Sequence, residues 1–250
     1  MKVASAGFAL AVLLLVPVRS ASAQTAEDII EKSITALGGR AAHLKLKSRS
    51  TTGTIAFATP AGDISGTVEV LNAVPNKVRT VIRADLSAVG AGQLVVDQRF
   101  DGTSAYVLDS MQGNREITGN QLDNFKNGGF PHPFLNYKDL GTTVKLAGKE
   151  KVGDRDAYVL IFDPTSGSDV RQYIDAETYL PIKSVIRVDV PQLGGELEQT
   201  NEYLDYREVD GIKTPFRIKS TSSAQNFNVT VTKIEHNVTV DQSLFSKPPQ

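Results

Sequence analysis

Three histidines, His43, His132 and His236, are the side chains of this 250-residue chain best suited to proton transfer or metal binding near neutral pH. Metal sites place their ligands at short, regular spacings, and these three stand far apart in the chain. His132 lies between Pro131 and Pro133, and its loop setting predicts a solvated imidazole. The chain has no cysteine, which excludes disulfides, thiolate metal sites, a cysteine nucleophile and a lipidated N-terminal cysteine. It carries no Gly-x-Ser-x-Gly elbow and no glycine loop leading into Lys-Ser or Lys-Thr. Gly90-Ala91-Gly92 lacks the third glycine and the following helix of a dinucleotide site. Asp101-Gly102 and Asp210-Gly211 have the chemistry of tight turns. These residues predict a protein that binds without reacting, with no catalytic residue, no metal and no cofactor.

The elements that would position a binding site follow from composition and periodicity. Apolar residues make up 40% of the chain and charged residues 22%, the balance of a globular protein rather than a disordered or collagen-like one. A net charge of −1 argues against nucleic acid as a partner, because phosphate binding needs clustered excess cation. The first residues read as a secretory signal: Lys2, an apolar run Phe8–Val16, Pro17, then Ala21-Ser22-Ala23 before Gln24. That run is too short for the ~20 residues of a spanning helix. The expectation is a signal peptide over 1–23, cleaved after Ala23, and a single exported domain over 24–250.

Thr25 and Asp28 predict a capping box, followed by a helix with the stripe Ile29, Ile30, Ile34 and Leu37, stopped by Gly38-Gly39. From Ser48 the apolar period changes to two. Strands are predicted over Arg49–Ala58, Asp63–Ala73, Lys77–Leu86, Gln93–Phe100 and Thr103–Asp109. A second series covers Thr142–Val152, Arg155–Asp163, Asp169–Asp175, Leu180–Val190, Glu196–Val209, Ile212–Ser222 and Phe227–Val240. Short turns join them, which predicts an antiparallel meander. Between the two series, Gly119–Gly129 reads as a short helix. The prolyl stretch Phe130–Leu135 cannot be regular, yet carries Phe130, Phe134 and Leu135, so it must pack on something or face a ligand.

A meander of this length curls, because strands twist, and a curled sheet has a concave face. Alternation puts Ile55, Phe57, Val68, Val70, Val78, Ile82, Leu94 and Val96 on one side. Covered by a second sheet, that side is the core of a sandwich. Covered only by the two helices, it is the wall of an apolar hollow.

The order of pieces resembles the LolA-like family of periplasmic lipoprotein carriers, which includes LolB-like receptors and sensor domains of the RseB/MucB type. The residues carrying the resemblance span most of the chain. They are the helix feeding a Ser/Thr-rich strand at Arg49–Ile55, the Pro75-Asn76-Lys77 step, the hairpin Val96–Tyr106 around Asp101-Gly102, the Phe130–Leu135 insertion, and the closing Leu244-Phe245-Ser246-Lys247-Pro248-Pro249.

The resemblance implies a mainly β fold: an open half β-barrel of about eleven antiparallel strands with an N-terminal helix and a short helical lid. It implies an acyl-chain cavity walled by the eight residues above. Ile30, Ile34, Leu122, Phe125, Phe130 and Phe134 would form the lid, with Gly128-Gly129 as its hinge. It further implies a periplasmic carrier or sensor for a lipoprotein or other acylated lipid, sorting it towards the outer membrane. Such a carrier has an inner-membrane donor, an outer-membrane acceptor and only transient membrane contact. A regulatory protein-interaction module of the RseB-like type is the alternative. Carriers of the family place an arginine before the Pro-Asn step, where it helps latch the lid; here that residue is Val74.

Overall fold

The computed structural model describes residues 24–60, 62–190 and 195–248. The signal segment over 1–23 and the terminal Pro249 lie outside the described residues. Two helices open the chain, α1 (Ala26–Ala36) and α2 (Arg40–Leu44). The capping box forms: Thr25 Oγ1 accepts from the Asp28 amide and the Asp28 carboxylate accepts from the Thr25 amide, each at 3.1 Å. Those bonds, the backbone one foremost, hold the Asp28 carboxyl below its ordinary pKa. Gly38, at φ +116°, ends α1 in a conformation closed to other residues, and a Cβ there would overlap the Gly211 carbonyl oxygen.

Six strands follow: β1 (Ser48–Phe57), β2 (Ile64–Ala73), β3 (Lys77–Asp85), β4 (Gln93–Phe100), β5 (Ala105–Asp109) and β6 (Arg115–Ile117). Helix α3 (Gly119–Gly128) comes next. The second series is β7 (Thr143–Val152), β8 (Arg155–Asp163), β9 (Val170–Asp175), β10 (Pro181–Val190), β11 (Gly195–Val209), β12 (Ile212–Thr221) and β13 (Asn226–His236). All the strand runs predicted from periodicity form, with differences at their ends. β13 stops at His236 because Asn237 adopts φ +57° and turns back, its side chain accepting from the Lys47 amide at 2.8 Å. The three-residue β6 is additional; so short a run has no readable period.

The thirteen strands make one antiparallel sheet in the order β6-β5-β4-β3-β2-β1-β13-β12-β11-β10-β9-β8-β7. The ends of that order do not meet, so the sheet is an open half-barrel with two arms. Their seam is the β1–β13 ladder, which pairs Phe57 with Phe227 and Ile55 with Val229. A bulge at Thr52/Gly53 interrupts it. Gly53 lies so close to β13 that a Cβ would overlap the Thr230 carbonyl oxygen.

Register carries one face through the whole sheet. The row Phe162, Val170 and Ile186 continues beside Gln172, Ser184, Asn201 and Ser220 to Phe227, Phe57 and Ile64. Helices α1 and α3 and the prolyl segment cover this face, while the closing turn Gln242–Phe245 packs on the other face of β3 and β4. Ile29, Ile30 and Ile34 of α1 pack against Tyr158, Leu160 and Phe162 of β8 and Ile174 of β9. Leu122 and Phe125 of α3 pack against Phe100, Val107 and Ile117. Between them Phe134 stacks on Phe162, with ring centroids 5.3 Å apart and planes 2° from parallel. Each such side chain contributes about 1.5–3 kcal/mol by leaving water.

The opposite face carries a compact ion triad. Arg79 and Arg99 each give Asp97 two hydrogen bonds, the shortest at 2.6 and 2.7 Å. Burial alone would raise the Asp97 pKa, but the bonds from the two guanidiniums outweigh it and hold the carboxyl below its ordinary value.

Candidate functional site

Under the lid, the concave face leaves two adjoining hollows. The larger, about 510 Å³, has Arg49, Asn72, Val78 and Gln98 of the left arm in its floor. Its roof is Phe125 and the segment from Gly128 to Pro133. The smaller, about 290 Å³, is floored by Val170, Gln172, Ser184 and Tyr203 and roofed by Phe134 and Tyr137. Asn124, Gly128, Pro133 and Ile186 line both, so the two form one groove between arms and lid.

The lid is tied down by a residue of the Pro-Asn step. Asn76, at φ +52°, donates to the Phe125 and Lys126 carbonyls at 3.1 and 2.9 Å and accepts from the Phe130 amide at 3.2 Å. One carboxamide thereby satisfies the free end of α3 and the start of the prolyl segment. On the other side, Asn124 and Asn127 bond to Ser168 and Ser166 of the loop before β9. Gly129 is held at φ +58°, where a Cβ would come within 2.9 Å of Asn136 Oδ1 and 3.0 Å of Pro133 Cα.

Of the wall residues named from the sequence, Val78 lines the larger hollow, with lid residues Phe125 and Phe130; Phe134 roofs the smaller. Ile55, Phe57, Val68, Val70, Ile82 and Leu94 share the concave face by register but lie further along it. There they pack together with Ile64, Ala84, Phe227 and Val229. Ile55, Phe57 and Val68 are buried in that cluster, whereas Val70, Ile82 and Leu94 are half-buried. Val96 and Leu122 belong to the packing beneath α3, and Ile30 and Ile34 to the packing of α1 on β8 and β9.

The floor of the larger hollow also carries polar side chains. Arg49, Asn72, Gln98 and Arg115 all face it. Arg49 donates to Asn72 Oδ1 at 3.2 Å, and its guanidinium lies 5.5 Å from the centre of the Phe130 ring. Burial lowers its pKa.

His132 is not the solvated side chain its loop suggested. Its ring meets His43 at 5.4 Å and Phe134 at 4.8 Å, and its Nδ1 accepts from the Phe134 amide at 3.2 Å. Burial first, then the nearby His43 and Arg49, push its pKa down to about 3, so it is neutral in ordinary buffers. The Phe130–Leu135 segment folds back over the sheet, and that carries the imidazole inside. Two histidines that the sequence keeps far apart are thus ring neighbours. His43 is fully buried, while His236 Nδ1 lies 3.0 Å from Asp210 Oδ2. Among the described residues no group of three or more His, Asp or Glu side chains is placed to hold a metal.

An open antiparallel half-barrel with helices folded onto its concave face defines the LolA-like fold, and comparison with solved structures agrees. A LolA superfamily protein from Nitrosomonas europaea superposes with a TM-score of 0.55 at 18% identity, covering 89% of this chain and 98% of that one. A DUF1329 family protein from Desulfovibrio piger gives 0.55 at 12% identity, with 88% and 95% covered. A structure described as an outer membrane lipoprotein-sorting protein domain, from Vibrio parahaemolyticus, gives 0.52 at 13% identity over the same shares of 88% and 95%. No family model and no curated protein matches the sequence. The fold is what these likenesses establish. Among the described residues no helix is long and apolar enough to cross a membrane.

Proposed function

We propose that this protein is a periplasmic carrier or sensor that shelters an acyl chain of a lipid or lipoprotein in the groove beneath its lid. The observation that carries this reading is the groove itself. It is roofed by α3 and the prolyl segment, which are held by side-chain hydrogen bonds and by the packing of Leu122, Phe125, Phe130 and Phe134, and can lift without breaking a strand ladder. The fold of the lipoprotein-sorting domain from Vibrio parahaemolyticus supports it. A signal peptide over 1–23 would deliver the chain to the periplasm.

Volume limits the cargo. A cavity of about 150 Å³ holds benzene, or roughly 25 Å³ per carbon. By that measure the 510 Å³ hollow takes about twenty carbon atoms. One long chain fills it; several chains of one anchor do not, unless the lid lifts and the adjoining hollow joins in. Burial contributes ~0.8 kcal/mol per methylene, much of it offset by ordering and association. The net is reversible binding, as a carrier requires.

Native mass spectrometry of protein purified from the bacterial periplasm tests the reading. A co-purified acylated molecule, displaced by added palmitate with loss of its mass, is the expected result. Protein free of lipid, unable to take up a fluorescent fatty acid and bound instead to another protein, overturns it in favour of the interaction module.

A further inference from the structure

The larger hollow holds two cations and no acid. Arg49 enters it from β1 and Arg115 from β6, the two margins of one arm, and no Asp or Glu lines it. Neither guanidinium forms an ion pair within the described residues, and Arg49 Nε and Arg115 Nη1 are buried without a hydrogen-bond partner. The contrast with Asp97 is direct: on the outer face two arginines share one carboxylate, while on the inner face two arginines have none. A buried, uncompensated charge is among the costliest features a fold can carry, and an incoming anion removes that cost.

A second donor stands beside Arg49. His132 lines the same hollow, and its Nδ1 accepts a hydrogen bond from the Phe134 amide, so its single proton sits on Nε2 as a donor. Arg49 lies close enough to His132 to depress its pKa. A guanidinium and an imidazole N–H with no competing carboxylate suit an oxyanion. From this polar end the inner face runs along β1 to the cluster around Ile55, where Val70, Ile82 and Leu94 are half-buried and reach solvent. Six residues of strand separate Arg49 from Ile55, about 20 Å at 3.3 Å per residue.

Building on the carrier reading, we infer that the groove is selective for a single-chain anionic amphiphile. Its carboxylate or phosphate seats against Arg49 and His132, and its tail fills the rest of the larger hollow, its end reaching along the inner face towards Val70, Ile82 and Leu94. Arg115 adds to the attraction from the far margin of the arm.

Displacement of cis-parinaric acid from the delipidated full chain, with four competitors, tests the inference. Palmitate, palmitate methyl ester, 1-palmitoyl lysophosphatidate and monopalmitoylglycerol share one tail and differ in head. Charge-assisted hydrogen bonds predict that each anion competes about 10- to 100-fold better than its neutral counterpart. The ratio between palmitate and lysophosphatidate then tells a carboxylate source from a phosphate source. R49Q should bring each pair to within about threefold, the anions losing far more than their neutral counterparts; R115Q should narrow the gap less. Thermal melts accompany both variants: removing an unpaired buried charge should leave the ligand-free Tm equal or higher, which also shows that the variant is folded. If R49Q does not fold, the narrowing by R115Q and the wild-type ratios still decide. Equal competition by charged and neutral forms, or a preference unchanged in folded R49Q, overturns the anion site and leaves the carrier reading standing. Competition by none of the four, with no parinarate bound, overturns both.

Discussion

Keeping His132 neutral has a measurable cost in acid. Its folded pKa, about 3, lies below the ordinary 6.5, so the folded state binds fewer protons than the unfolded one between those values. The stability it contributes is complete above pH 6.5 and is lost as pH falls towards 3, at up to about 1.4 kcal/mol per unit. Urea unfolding at pH 7.5 and pH 5 should therefore show a fall in stability that is reduced in His132→Asn, which keeps an acceptor for the Phe134 amide. His43, lowered chiefly by burial, supplies the remaining slope. The aspartates with lowered values, such as Asp97, respond only at lower pH and do not confuse this window. On the outer face, Asp97→Asn leaves Arg79 and Arg99 without their shared anion. It should cost about 1–3 kcal/mol in urea unfolding at pH 7. Little of this residue chemistry was legible in the sequence. Arg49 lies on the same alternation as Ile55 and Phe57, yet an arginine early in a Ser/Thr-rich strand reads as solvated. What makes it interior is the lid, which comes from a segment distant in the chain.

Elements were far more legible, because a period of two survives in every long strand and the Thr25–Asp28 box marks a helix start without ambiguity. Tertiary context decided the exceptions. β6 exists because Arg115–Ile117 finds β5 beside it, and His132 is half-buried because its loop folds inward. The tie on the lid is a third case. Asn76 of the Pro-Asn step, which the sequence did not mark as a contact, bonds α3 and the prolyl segment together. Asn76→Ala should free the Phe130 amide, raising its hydrogen exchange about tenfold, while the global urea midpoint shifts by no more than ~1 kcal/mol equivalent. If the lid is an exit gate, the same variant releases a bound fatty acid faster, which stopped-flow fluorescence would register. Gly128-Gly129, read as a hinge, includes one glycine whose positive φ and close neighbours the turn itself demands.

At the scale of the molecule, two arms of antiparallel hairpins meet along one ladder. The β1–β13 seam depends on Gly53, where any side chain collides with the β13 backbone. Gly53→Val should cost more than about 2 kcal/mol and lower the Tm well beyond any other substitution proposed here. The outermost strand β7 is mostly exposed and carries Lys145, Lys149 and Lys151, charges that discourage pairing with another sheet. Replacing Lys145 and Lys151 with threonine should raise light scattering on heating while the urea midpoint changes little.

Within each arm every strand pairs with one next to it in the chain, so an arm can assemble from local contacts as it is made. Only the seam joins residues from the opening and the close of the strand series. A chain threading out of a ribosome or through a translocation pore therefore cannot join its two arms until β13 has emerged. A ligand of the proposed kind then meets the full groove between both arms, or only half of it.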